Sequence, residues 1–182
     1  MSISANTFRL DGSLLLFVSL LLIAICCKQE PIEPFPANIQ LGCFIDGTRW
    51  TPYAKDFKQQ TPVARYLAKE KTLFVGGFND SQGKGFSFGL ANYTGQTGTY
   101  TLDSSCTDLP RVCANTGDFS TSPYFEIDRT YITNNRYTGI VIVTEHTQYG
   151  VTGTFAFEAQ NPKTGNVVRI TQGRFNIDYR TY

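Results

Sequence analysis

The 182-residue sequence predicts an all-β fold, a single antiparallel β-sandwich or flattened β-barrel following an N-terminal signal or lipoprotein segment. Three observations predict it. Short stretches in which apolar and polar side chains alternate recur through residues 39–182, and a period of two places one face of each stretch inward. Gly, Asn, Asp and Pro, which suit turn geometry, separate these stretches. Composition leans to Tyr, Phe, Thr and Val, with 14 Phe and 10 Tyr in the whole chain, as strands favour, and to Gly, which serves the turns. Periodicity does not distinguish a sandwich from a barrel.

Residues 14–25 are an apolar run that stops at Cys26 and Cys27 and gives way to polar, proline-broken sequence. The run is shorter than the roughly 20 apolar residues of a spanning helix, which suits an export signal. Arg9 is offset by Asp11, and Ala24 fits a lipidation site whereas Ile25 does not, so both Cys26 and Cys27 stand as the lipidated residue. A plain cleaved signal and an uncleaved anchor are the other readings. Residues 28–38 contain Pro31, Pro34 and Pro36, which remove amide donors and exclude a central strand. They read as a tether that could reach on the order of 30 Å from a membrane surface.

Beyond the tether, residues 39–182 suffice for one domain with its own core. Leu41, Cys43 and Ile45 alternate with Gly42, Phe44 and Asp46, and Asp46-Gly47 supplies a tight hairpin before Arg49-Trp50-Thr51 returns. Leu73-Phe74-Val75 and Phe86-Ser87-Phe88 flank the turn residues Asn79-Asp80-Ser81-Gln82-Gly83. Residues 63–70 fit a helix or a strand equally well, since Ala, Leu, Lys and Glu favour helix while Tyr66 and Leu67 continue a strand. Ile140-Val141-Ile142-Val143 is apolar on both faces and predicts a central strand covered on both sides. Phe155 and Phe157 share one face, residues 161–165 turn, and 167–171 come back. Phe175, Ile177 and Tyr179 then share a face opposite Arg174, Asn176 and Asp178.

A formal net charge of +1 offers no basic field for nucleic acid or anionic lipid. Cys106 and Cys113 bracket a loop that a disulfide could close in an oxidising compartment, stabilising by about 2.5 kcal/mol through loop entropy. Two unpaired thiols are the alternative. Cys43 reads as a small buried hydrophobe. With one histidine and no close cysteine pair there is no zinc signature, and no cofactor is expected.

Gly85-Phe86-Ser87-Phe88-Gly89 matches the G-x-S-x-G of a nucleophile elbow, and His146 follows it. That elbow needs a sharp strand-to-helix turn, whereas Leu90-Ala91-Asn92-Tyr93 continues as strand, so Ser87 reads as an ordinary sheet residue and no catalytic role is assigned. His146 reads as a strand end or loop residue. Asp80, beside Asn79 and Ser81, reads as a hairpin turn before a calcium ligand. Asn79-Asp80-Ser81 and Asn92-Tyr93-Thr94 match glycosylation sequons, relevant only to a eukaryotic secretory route. The many aromatics could stack on sugars, but cross-strand packing is their simpler role.

Cys43-Phe44-Ile45-Asp46-Gly47-Thr48-Arg49-Trp50-Thr51-Pro52, Gly95-Gln96-Thr97-Gly98-Thr99-Tyr100-Thr101-Leu102, Gly153-Thr154-Phe155-Ala156-Phe157 and Ile170-Thr171-Gln172-Gly173-Arg174-Phe175 together resemble an uncharacterised lipoprotein family of Bacteroidetes, DUF6252-like small exported domains. The resemblance implies a fold and an envelope address, and no established activity.

The sequence therefore predicts a lipid-anchored binding or structural module of the cell envelope, an outer-membrane lipoprotein facing periplasm or surface. Its partners are the membrane, through the lipid, and an unknown protein, glycan or small apolar ligand. A lipocalin-like barrel carrying a small apolar ligand, lined by Phe86, Phe88, Phe155 and Phe157, is the alternative. A hydrolase comes last.

Overall fold

The computed structural model describes residues 35–36, 38–55, 61–104, 114–123 and 126–179. The signal segment, Cys26 and Cys27, and the cysteines Cys106 and Cys113 lie outside the described residues.

Turn chemistry sets the hairpins. β1 (Leu41–Ile45) and β2 (Thr48–Trp50) join through Asp46 and Gly47 at φ 48° and 79°, the left-handed pair that matches strand twist in a two-residue hairpin. β3 (Val63–Leu67) pairs with β4 (Thr72–Asn79), and β4 with β5 (Lys84–Leu90). In the second of these turns Asn79 Oδ1 accepts from Ser81 Oγ and the Gln82 N–H. The Asp80 carboxylate accepts the Lys55 N–H at 2.8 Å, so both residues serve the turn. β6 (Gly98–Leu102), β7 (Thr116–Ser120) and β8 (Thr130–Ile132) follow, β8 entered through a 3₁₀ turn at Ile127–Arg129. β9 (Gly139–His146), β10 (Gly150–Gln160) and β11 (Val167–Asp178) form the long C-terminal meander.

All strand pairs are antiparallel, and β10 is where the sheet divides. One edge of β10 carries β11 along nearly its whole length. Its other edge carries β9 opposite Val151 to Phe157 and then β8 at Gln160. Two leaves result, β2-β1-β11-β10-β9-β6 and β8-β7-β5-β4-β3, in an 11-stranded sheet curled into a half-barrel. Irregularities help the curl. β11 has one more residue than β1 and β10 around Gln172, whose φ is 51°, and such bulges raise local twist.

Three sequence expectations take their final form here. Residues 63–67 are strand: Ala64 is buried and Arg65 exposed, the alternation of a strand. Pairing with β4 decides what propensity left even. Ile140-Val141-Ile142-Val143 is central only in the hydrogen-bonding direction, between β6 and β10. Its outer face is uncovered, with Ile140 48% and Ile142 40% exposed, because β-branched residues suit a pleated strand whether or not another layer covers them. Phe35, placed in the tether by sequence, is buried against Phe44 at a ring separation of 5.2 Å, with the Arg49 guanidinium over its ring.

Candidate functional site

Inward alternation on both leaves brings the four candidate ligand-facing phenylalanines together in the core. Phe86, Phe88, Phe155 and Phe157 are all at most 3% exposed. Phe86 meets Phe155 at 4.9 Å and Phe157 at 6.4 Å, and Phe88 meets Phe155 and Phe175 at 5.4 Å each. Trp50 closes edge-on against Phe86 at 4.8 Å and donates its indole N–H to the Lys84 carbonyl. The rings face one another and fill the space a ligand would need. Cys43 lies in the same core, where burial pushes its thiol pKa far up and keeps it un-ionised.

Ser87 and His146 sit apart. Ser87 is on the uninterrupted strand β5, facing outward, and its hydroxyl donates to Asp118 of β7 in a very close hydrogen bond. His146, at the end of β9, closes one end of the half-barrel within a ring of tyrosines. Its Nδ1 lies 2.8 Å from the Tyr93 hydroxyl and 3.2 Å from that of Tyr179. Tyr66 of β3 stands edge-on to the imidazole at 4.8 Å, and Tyr100 of β6 packs on Tyr93. Burial lowers the histidine pKa and raises those of Tyr93 and Tyr179, so the cluster is held neutral. Ser87 and His146 therefore have separate partners and do not form a nucleophile–base pair.

Among the described residues, open grooves lie on the outer faces. One, about 440 Å³, is lined by Phe35, Ile140, Ile142, Ala156, Gln172 and Arg174 among others. Another, about 250 Å³, crosses β3, β4, β5 and β7. Register aligns Val63, Gly76, Ser87 and Asp118 across these four strands, so they form a row on one face. Phe74 and Phe78 flank Gly76 on the same face of β4. A Cβ on Gly76 would stand 2.7 Å from Ser87 Cβ, and one on Gly85 would stand 2.5 Å from the Phe78 ring. Glycine is what lets the serine and the phenyl ring lie flat there. At the far end of the row sits Asp118, partly buried, whose carboxyl desolvation pushes up to about 6, against the opposing Ser87 hydrogen bond.

Asp118 was not legible as a site residue, because Thr116-Gly117-Asp118-Phe119-Ser120 reads as an ordinary strand. Only pairing β7 with β5 places it beside Ser87. The tyrosine ring around His146 was equally hidden, its four tyrosines being drawn from four separate segments of the chain.

A family model described as Domain of unknown function (DUF6252) matches residues 57–177. No curated protein and no solved structure matches the chain. The family match runs from just ahead of β3 almost to the end of β11, so it takes in the strands β3 to β11, the four core phenylalanines, His146 and the Asp118 groove and leaves out β1, β2 and Tyr179; the chain belongs to the DUF6252 family.

Proposed function

We propose that this protein is a lipid-anchored binding module of the cell envelope that works through its outer sheet faces and carries out no catalysis. The observation that supports this reading most is the division between a filled interior and open exterior grooves. Phe86, Phe88, Phe155 and Phe157 occupy the interior with their rings against one another, which disfavours an enclosed apolar ligand. The grooves face outward on both leaves. Separate partners for Ser87 and His146 give no support to a hydrolase. The address rests on the apolar run ending at Cys26 and Cys27.

Two measurements test the reading. In an outer-membrane-bearing bacterial host the full chain is expected in the membrane fraction, and the double substitution Cys26→Ser with Cys27→Ser is expected to release it. Membrane association unchanged by that substitution would overturn lipid anchoring. A fluorescent fatty acid is expected to show no saturable binding. Saturable binding that quenches the buried Trp50 would restore the ligand-carrying barrel.

A further inference from the structure

We infer that the groove across β3, β4, β5 and β7 is a binding slot for a primary ammonium group on an alkyl stem, of the kind a lysine side chain presents. This assignment rests on the outer faces being the working surfaces, and it names what one of them takes.

Asp118 is the anchoring group of the slot. One carboxylate oxygen takes the Ser87 hydroxyl, and among the described residues no side chain or backbone group pairs with the other. Among the described residues no cation is bonded to it either, although desolvating a carboxylate without a counter-charge is costly. An arriving cation restores the missing interaction. The rest of the slot selects its shape. Phe74 and Phe78 wall it, Gly76 and Gly85 leave its floor low, and Val63 lies at the edge-strand end. Two strand spacings separate Gly76 from Asp118, roughly 10 Å, so an extended four-carbon stem fits along the slot with its charge at the carboxylate. Phenyl faces also attract a cation that passes between them.

Two other ligand classes fit less well. A sugar ring needs several polar partners, but the Thr61 hydroxyl is committed to the Phe78 backbone and the Ser120 hydroxyl to that of Ser122. A guanidinium is best met by both carboxylate oxygens in a fork, whereas one of these is already engaged by Ser87. A point-charge ammonium needs only the other.

Recognition requires ionised Asp118, so it follows pH. Desolvation sets the Asp118 carboxyl at about 6. Its strand neighbours present no ionisable side chain on this face: β5 offers Gly85, Ser87 and Gly89, and β8 offers Thr130 and Ile132. Among the strands of this face, Arg65 on β3 is the other ionisable residue, across β4 and β5 from Asp118.

The test is a ¹⁵N-¹H NMR titration of the full chain in detergent micelles with N-acetyl-lysine methylamide. Parallel titrations use the norleucine and arginine analogues and methyl glucoside. The lysine probe is expected to shift the amides of Gly76, Ser87 and Asp118, with the norleucine probe and the glucoside leaving them in place and the arginine probe weaker. Its affinity is expected to fall about tenfold from pH 7 to pH 5, as the carboxylate protonates. Asp118→Asn is expected to abolish the shifts while Trp50 emission stays that of the folded chain; if that variant does not fold, the wild-type pH profile decides alone. Absence of lysine-probe shifts, equal shifts from norleucine or glucoside, tighter arginine binding, or an affinity flat across this pH range would each overturn the slot. Membrane release by the cysteine substitutions is read separately, so failure here is distinguishable from failure of the anchored-module reading.

Discussion

Replacing Asp118 with Asn is expected to stabilise the protein at pH 8 and to have almost no effect at pH 3. The carboxyl rises from its ordinary 3.8 to about 6 on folding. A folded-state value above the unfolded one gives stability that is fully present below pH 3.8 and is lost as pH rises through about 6. Each pH unit is worth about 1.4 kcal/mol, which bounds the cost of the ionised form at about 3 kcal/mol. The carboxyl is only partly buried beside an open groove, and water screening reduces this to about 1–2 kcal/mol. Asn keeps an acceptor for the Ser87 hydroxyl but gives up its charge assistance, a loss of about 0.5–1 kcal/mol. The net expectation at pH 8 is a gain of about 1 kcal/mol, shrinking toward zero at pH 3, where the carboxyl is protonated in the folded and the unfolded chain alike. Urea unfolding followed by the emission of Trp50, the one tryptophan in the chain, measures both variants at both pH values. Subtracting variant from wild type cancels every other titration. An Asn variant less stable than wild type at pH 8, or a difference independent of pH, would refute the reasoning. A gain would also mark Asp118 as a residue whose stability cost needs a functional explanation.

Phe88→Ala, at a position with no exposure between Phe155 and Phe175, should cost about 3–5 kcal/mol in urea unfolding; a loss under 1 kcal/mol would mean the aromatic interior is loosely filled. Tyr93→Phe removes the hydroxyl at His146 Nδ1 and should cost about 1–2 kcal/mol at pH 8. Burial holds the His146 pKa below 6.5, so the stability due to neutral imidazole is present above pH 6.5 and lost as pH falls below it; His146→Phe should remove that acid-side decline, as urea midpoints from pH 8 to 5 would show. Gly47→Ala meets no atom within 4 Å but places a Cβ at φ +79°, so its cost of about 1–2 kcal/mol isolates backbone strain. Thiol mapping of the purified full chain should find Cys106 joined to Cys113 and Cys43 unreactive until unfolding, and Cys43 joined to either would overturn that pairing.

Local rules made much of the architecture readable. Asp46-Gly47 announced its hairpin because few residue pairs accept two left-handed conformations in succession. The turn residues 79–83 and 161–165 likewise marked the hairpins on either side of them. Phe175, Ile177 and Tyr179 announced an inward face because side chains alternate strictly along a strand, and the burial of β11 keeps that alternation. Residues 63–67 were undecided on propensity, and their pairing with β4 settled them.

What sequence could not decide is which faces meet and which stay open. Phe86, Phe88, Phe155 and Phe157 were legible as one-sided, but whether that side enclosed a ligand or met other rings depended on the spacing of two leaves joined at β10. Ile140 and Ile142 look in sequence like covered residues, yet nothing among the described residues packs over them, since β-propensity reports fit to a pleat and not the presence of a second layer. The sequence by itself determined the all-β class, the hairpins and the inward faces, because those depend on neighbours a few residues apart. Tertiary structure alone decided that Ser87 meets Asp118, 31 residues away, and that His146 meets Tyr93, 53 residues away, because strand order and register bring together side chains that no local pattern connects.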